Sequence, residues 1–340
     1  MDESDRIEIS KRIGYFKRKA SIKKCLHPFE QECRGRIIKA HSIQNNRYLS
    51  KLEAEVNGQN SVYIISEFDY NQDATLALKA VGKSSASTFS GFCAYHDQSI
   101  FKKIEVTNFS LSREQVFLHG YRAFNSSYHH YLEWYKGHTN DNNQKSRFQS
   151  EQEYYNYTIS ALNELRKAKQ LKDTIDRYYL TNKFDGLHSL AFKFHYQIPL
   201  AACGIAQVNR MPNSDFISDG RFETILITAF PEENSSRYLV SCFTNDLGAR
   251  KFIDSICMLD SERKRVVLNS LLINYSESTV LSPYLLSVLD ADGRNDIIMN
   301  IVNTRNRNPE AYSTFRNLKV DLLHPTFRLD FLKGINKQNE

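Results

Sequence analysis

Three cysteines and one histidine in the first third of the chain have the residue types of a structural zinc site. Cys93 and His96 form a C-x-x-H pair, which sets two ligands on one tight turn, and Cys25 and Cys33 have seven residues between them. Zinc takes four such ligands in a tetrahedron, so we expect these four residues to hold one structural Zn²⁺, with His27 as a competing ligand. The alternative is that they are small buried side chains without a metal.

The remaining cysteines, Cys203, Cys242 and Cys257, lie in apolar segments and have no Cys or His neighbour at ligand spacing. Core packing is the role expected of these three. The opening residues lack the apolar centre of a signal peptide, and no apolar run is long enough to cross a bilayer. We therefore expect a cytoplasmic protein that keeps its six cysteines reduced.

Positive charge is concentrated around the four ligands. Twelve Lys or Arg residues and two Glu residues stand between Lys11 and Lys51, a net charge of +10, which leaves −4 for the rest of the chain. Such segregation attracts a polyanion, so we expect the module to bind nucleic acid, with DNA as the first expectation. The candidate contacts are Lys17, Arg18, Lys19, Lys23, Lys24, Arg34, Arg36 and Lys39. The alternative is a solvated basic face with no partner.

The elements that must position the ligands are short. A basic arm at residues 1–20 precedes a knuckle around Cys25 to Cys33 and an apolar stretch. The pattern then predicts a helix from Ile43 to Val56, which Asn57-Gly58 ends. A short strand is predicted from Val62 to Ile65, and the polar segment from Asp69 to Ser90 is predicted to be a loop or an insertion.

A change of character after Asn108 separates a second region, at residues 109–340. Capping-box patterns at Ser112 and Ser150 predict two long helices that pair as a helical hairpin over residues 112–182. Aromatic residues recur at helical spacing in the first helix and are expected in the core: Phe117, Tyr121, Phe124, Tyr128, Tyr131 and Tyr135.

Strands and helices are predicted to follow over residues 186–335. The segments FETILITAF and SRYLVSCF, separated by PEENS, indicate an antiparallel hairpin. Other strands are predicted at Leu190 to Ile198 and Gly204 to Val208, and helices at Leu247 to Leu259, Arg263 to Ile273 and Pro283 to Leu289.

The motifs of the first third together resemble the HNH, or ββα-metal, nuclease family. This likeness covers about residues 22–105. It depends on two cysteines, a strand ending in Ala40-His41, a helix, and a returning C-x-x-H followed by Asp97 and Phe101. The fold class expected from it is α+β. A zinc-bound treble-clef or ββα-metal module at residues 21–108 is followed by a larger mixed α/β domain at residues 109–340.

In that family the histidine at the strand end activates water, and the far motif holds a divalent metal against the scissile phosphate. The resemblance therefore implies that His41 is the general base, with Asp97 or His96 at a catalytic Mg²⁺ or Mn²⁺. A neutral imidazole suits proton transfer at neutral pH, and a carboxylate suits a hard cation. The expected function is metal-dependent endonuclease cleavage, as an effector of bacterial restriction or anti-phage defence. The C-terminal domain would then sense a signal or bind a protein partner or a second copy.

A non-catalytic function is the alternative. Ala40 stands where many relatives carry a metal-binding Asp or His, and the middle asparagine of the family has no clear counterpart. The candidate substitutes are Asn45, Asn46, Ser87 and Thr88. The chain would then be a zinc-finger adaptor that binds nucleic acid or a partner protein and carries a regulatory C-terminal domain. In that case His41 has a structural hydrogen-bonding role.

Overall fold

The computed structural model describes residues 11, 14–15, 17–66, 77–139, 150–209, 211–212, 223–275, 278–305 and 319–338. The strands are β1 (Ile37–His41), β2 (Ala54–Val56), β3 (Gln59–Ser66), β4 (Ala77–Val81), β5 (Thr88–Cys93), β6 (Leu187–Phe194), β7 (Leu200–Val208), β8 (Glu223–Pro231), β9 (Ser236–Phe243) and β10 (Thr279–Leu281). The α-helices are α1 (Ser50–Leu52), α2 (Ala94–Glu105), α3 (Arg113–Thr139), α4 (Glu151–Leu180), α5 (Leu247–Met258), α6 (Ser261–Ser270), α7 (Pro283–Val288), α8 (Ala291–Arg305) and α9 (Leu329–Gln338).

These strands form two antiparallel sheets. β1 and β5 make a two-stranded ribbon in which Ile37 faces Cys93 and His41 faces Thr88. The large sheet has the strand order β2-β3-β10-β7-β8-β9-β6, and β4 also pairs with β3. Mixed helices and antiparallel sheets confirm the predicted α+β class.

The core lies on both faces of the large sheet, because the middle strands are buried on each side. In β8, Ile225 and Ile227 pack into the cluster that contains α5, whereas Leu226 between them packs against the aromatic residues of α3. α3 lies close to the sheet at Gly120, where a Cβ atom would stand 2.7 Å from Leu187 Cδ1. Half of the predicted aromatic stripe is core, since Phe117, Tyr121 and Phe124 are buried, whereas Tyr128, Tyr131 and Tyr135 are half-buried.

Both predicted helix caps are confirmed. The backbone N–H of Gln115 donates to Ser112 Oγ at 3.2 Å, and the N–H of Glu153 donates to Ser150 Oγ at 3.1 Å. α3 and α4 then lie side by side, and the Tyr131 hydroxyl donates to the carbonyl of Ala161 at 3.1 Å. Residues 140–149, which connect the two helices, lie outside the described residues.

The predicted helix from Ile43 to Val56 is wrong in its last four residues. A π-helical turn at Asn45–Leu49 and α1 end at Leu52, and β2 follows directly. Asn57-Gly58 is the turn of the β2-β3 hairpin, with φ values of 51° and 77°. Positive φ is required both at a helix C-terminus and in a tight hairpin turn, so the dipeptide fits either structure.

The segment predicted as a loop, Asp69 to Ser90, contains β4 and the start of β5, while residues 67–76 lie outside the described residues. β3 pairs with β10, so the large sheet crosses the boundary that the sequence placed at residue 108.

Most of the predicted arm lies outside the described residues, namely residues 1–10, 12, 13 and 16. Lys17 to Ala20 are helical. Among the helices described, none has the length and apolar character needed to cross a membrane.

Candidate metal centre

The β1-β5 ribbon and α2 bring the four predicted ligands to one point. Residues 24–26 run beside β5, where Lys24 N–H donates to Ser90 O at 3.3 Å and Leu26 N–H donates to Gly91 O at 2.8 Å. This pairing sets Cys25 next to Cys93, the last residue of β5. α2 begins immediately after Cys93, so His96 lies in its first turn.

Distances between the ligand atoms match a tetrahedral zinc site. His96 Nδ1 lies 3.4 Å from Cys25 Sγ, 3.7 Å from Cys33 Sγ and 3.3 Å from Cys93 Sγ. Zn–S bonds of ~2.3 Å and Zn–N bonds of ~2.0–2.1 Å at the tetrahedral angle place S and N about 3.5 Å apart. The four ligand atoms all lie within 4.8 Å of one another. This Cys₃His cluster could therefore hold a metal ion such as zinc.

Backbone amides point at the sulfur atoms, as a bound thiolate requires. Cys93 N–H donates to Cys25 Sγ at 3.4 Å, and the amides of Arg34 and His96 bond to Cys93 Sγ. Burial acts to raise the pKa of Cys93, but these amide bonds outweigh it and lower the pKa. Burial raises the pKa of Cys25. A cation supplies the charge that keeps such a buried thiol ionised.

His27 is placed against the cluster but not as a fifth ligand. Its ring stacks on the His96 ring with centroids 3.7 Å apart and planes inclined by 15°, and its Nδ1 accepts the Phe29 N–H at 3.2 Å. The Nδ1 lone pair of His27 is therefore used by this backbone N–H. His27, Glu32 and His96 form a second group whose ligand atoms lie within 4.8 Å of one another. His96 Nε2 is buried and has no hydrogen-bond partner among the described residues, while a Glu32 carboxylate oxygen lies within 4.8 Å of His96. Glu32 is thus suited to orient the ligand ring.

A buried network from α4 holds the knuckle in place. Lys172 Nζ donates to the carbonyl of Leu26 at 2.7 Å and pairs with Asp176, and the Tyr121 hydroxyl donates to Asp176 Oδ1 at 2.8 Å. Lys172 and Asp176 are both buried. The segment next to Cys25 is therefore fastened to a helix far along the chain, which no local sequence pattern indicates.

His41 ends β1 with its tautomer fixed. Its Nδ1 lies 3.2 Å from the carbonyl oxygen of Ala86, which can only accept, so Nδ1 carries the proton and the lone pair of neutral His41 is on Nε2. The ring is half-buried, and burial lowers the pKa of His41, aided by the positive charge of Arg122. His41 is therefore neutral at pH 7 and can accept a proton at Nε2.

Asp97 has an unusual environment for a carboxylate. Its Oδ1 is buried and has no hydrogen-bond partner among the described residues, and burial raises the pKa of Asp97 to about 6. Asp97, Phe101 and Glu105 follow one another at four-residue steps on one face of α2. Arg122 of α3 stacks over Phe101, 4.1 Å from the ring centroid, and pairs with Glu105.

His41 and Asp97 are not paired with each other in the described structure. Within the described part of the chain, no hydrogen bond or ion pair joins them, and neither belongs to a group of three potential metal ligands. The charge of Arg122 acts on both, lowering the pKa of each. Arg122 therefore links the two predicted catalytic residues electrostatically, and the sequence analysis did not identify it.

The residues considered for the family's missing positions differ in what they contact. Asn45 Oδ1 is buried without a hydrogen-bond partner in the described structure. Ser87 Oγ bonds to Ile43, and Thr88 Oγ1 donates to the carbonyl of Ser85 at 3.3 Å. Ala40 is buried and apolar.

The eight predicted nucleic-acid contacts are all exposed to solvent. Lys24 forms an ion pair with Glu30 at 2.5 Å. Six of the others form no ion pair among the described residues: Arg18, Lys19, Lys23, Arg34, Arg36 and Lys39. These unneutralised cations are available to a polyanion.

Comparisons with known proteins give no match, whether the chain is compared with family models, with curated proteins or with solved structures. The function must therefore be argued from the site itself.

Proposed function

We propose that this chain is a metal-dependent nuclease of the HNH type, built on a treble-clef module with a structural zinc ion. The order β1, β5 and α2, with Cys₃His at one end, supports the assignment of this module. The main support is the state of His41, which lies at the end of β1 with its Nε2 lone pair available and its pKa lowered. A neutral imidazole held in one tautomer is the arrangement that a general base needs.

In this proposal His41 Nε2 removes a proton from a water molecule, and the resulting hydroxide attacks the scissile phosphorus. The P–O bond to the leaving sugar oxygen breaks, and that oxygen takes a proton from solvent. Ala86 keeps the ring oriented through its carbonyl. The residue proposed to hold a divalent cation is Asp97, because its unpartnered carboxylate oxygen is a hard ligand and Mg²⁺ binds through one or two carboxylates plus waters. The chemistry expected of that cation is charge neutralisation on the phosphate.

Charge around the module supports nucleic acid as the substrate. The exposed cations lie around the zinc ligands and β1, and six of them form no ion pair among the described residues: Arg18, Lys19, Lys23, Arg34, Arg36 and Lys39. Each contact with a phosphate would release a counterion and make binding salt-dependent. Following the resemblance, we extend the proposal to an effector of bacterial restriction or anti-phage defence.

Supercoiled plasmid with Mg²⁺ or Mn²⁺ tests the proposal. Wild type should nick it, and His41→Ala should cut at least about 100-fold more slowly, since general-base catalysis contributes ~10²–10⁴-fold. His188→Ala is the matched control, because His188 also lies on a strand and has one hydrogen-bond partner, Asp254 at 2.7 Å. Intact plasmid with both metals, or equal rates for wild type and His41→Ala, would refute catalysis by His41.

A non-catalytic adaptor is the second candidate, and Ala40 favours it. Ala40 is buried in β1 where the resembled family carries a metal ligand, and no group of three ligands forms at His41 among the described residues. An adaptor requires that His41→Ala keeps full biological activity and nucleic-acid affinity. Phage plating on a bacterial host that expresses the wild type or the His41→Ala variant separates the two functions.

A further inference from the structure

Tyr95 and Arg34 form an exposed stacked pair at the metal centre. Arg34 Cζ lies 5.1 Å from the centroid of the Tyr95 ring, and Tyr95 is 41% exposed. Tyr95 is the second residue of α2, and Arg34 directly follows Cys33. The pair therefore presents an aromatic surface and a cation together to solvent.

The metal ligands fix both partners. Tyr95 stands between Cys93 and His96 in sequence, and the Arg34 amide bonds to Cys93 Sγ. Gly35, with a φ of 77°, turns the chain directly after Arg34. Both side chains therefore project from a rigid backbone, which limits the entropy that a bound ligand would have to offset.

The positive charge of Arg34 is not neutralised by a carboxylate among the described residues. In the described structure Arg34 forms no ion pair, and neither do the exposed Arg36 and Lys39 that follow it along the chain. An aromatic ring beside unneutralised cations suits a ligand that has both a flat apolar face and a negative charge. A nucleotide has both.

We propose that Arg34 and Tyr95 form a subsite for an unpaired nucleobase, so that the protein prefers single-stranded nucleic acid to duplex. In a duplex the base faces are stacked on one another, whereas an unpaired base can stack on a tyrosine ring or a guanidinium plane. The cations of the module then contact the phosphates on either side. This inference rests on the nucleic-acid binding of the proposed function and not on cleavage.

Fluorescence anisotropy with a labelled 12-nucleotide strand and its duplex tests the subsite. The full chain carries His41→Ala in every sample, so that binding is measured without cleavage. Tyr95→Ala should weaken single-strand binding about 5- to 150-fold and change duplex binding by less than about twofold. Tyr95→Phe should bind like the parent, and Tyr155→Ala, which removes an exposed tyrosine of α4, is the matched control.

Equal losses for strand and duplex, or no loss for either, would overturn the subsite. Zinc content and melting temperature are measured for each variant. A Tyr95→Ala protein that loses zinc would show that Tyr95 has a folding role instead. Photo-crosslinking then decides independently of any variant: a strand containing 5-iodouracil should attach to Tyr95 in the parent, and attachment only elsewhere would contradict the proposal. DNA and RNA strands are compared, because the subsite reads an unpaired base of either. Absence of plasmid cleavage by wild type leaves these binding results unaffected.

Discussion

Replacing Cys93 by serine should abolish metal binding by the Cys₃His cluster and remove much of the stability of the β1-β5 ribbon and α2. Cys93 is fully buried, its Sγ lies 3.3 Å from His96 Nδ1, and its amide donates to Cys25 Sγ. A serine hydroxyl stays protonated at neutral pH and is a poor zinc ligand. The change therefore breaks the cluster without altering the size of the side chain greatly.

The magnitude follows from the energy of structural zinc. Binding free energies of about 10–16 kcal/mol, shared among four ligands, give roughly 2.5–4 kcal/mol for each. At about 2–4 °C per kcal/mol for a large domain, Cys93→Ser should lower the melting temperature in excess zinc by roughly 5–16 °C. After dialysis against a chelator that wild type resists, zinc per chain should fall from one to near zero.

Cys203→Ser is the matched control, because Cys203 is equally buried but lies in β7, away from the cluster. Cys203 faces Thr228 of β8 and bonds to its side chain, so a serine keeps a partner there. We expect a cost near ~1 kcal/mol and unchanged zinc. Elemental analysis gives the zinc content of both variants, and differential scanning calorimetry gives their melting temperatures. Retention of one zinc per chain by Cys93→Ser, with a melting temperature like that of Cys203→Ser, would refute the assigned ligand set.

Two further predictions concern buried charge. Burial lowers the pKa of His119 to about 3, so below the unfolded value of 6.5 only the unfolded state takes up the proton. At pH 5 this destabilises the fold by about 2 kcal/mol, and His119→Gln should remove that part of the pH dependence in urea denaturation at pH 7 and pH 5. Lys172→Met strands the buried Asp176 carboxylate and should cost about 3–5 kcal/mol and speed zinc release to a chelator. The double variant Lys172→Met/Asp176→Leu should recover most of that loss; failure to recover would show that Lys172 acts through its bond to Leu26 instead.

Local signals predicted the elements that short-range chemistry controls. The caps at Ser112 and Ser150 and the strands β8 and β9 depend on neighbouring residues, and each is present where the sequence placed it. The Asn57-Gly58 dipeptide shows the limit of such signals. The dipeptide determines that both residues have positive φ, but not whether a helix or a strand precedes them. The pairing of β2 with β3 makes this turn part of a hairpin.

The sequence by itself determined the four candidate metal ligands, because ligand chemistry is a property of residue type and of spacing on tight turns. It also determined the basic character of the segment around them. Only the tertiary structure decided their surroundings. Lys172 reaches Leu26 across 146 residues, and the charge of Arg122 acts on both His41 and Asp97. These interactions depend on how the helices pack on the sheet. Burial then sets which groups are charged, and burial exists only once the chain has folded.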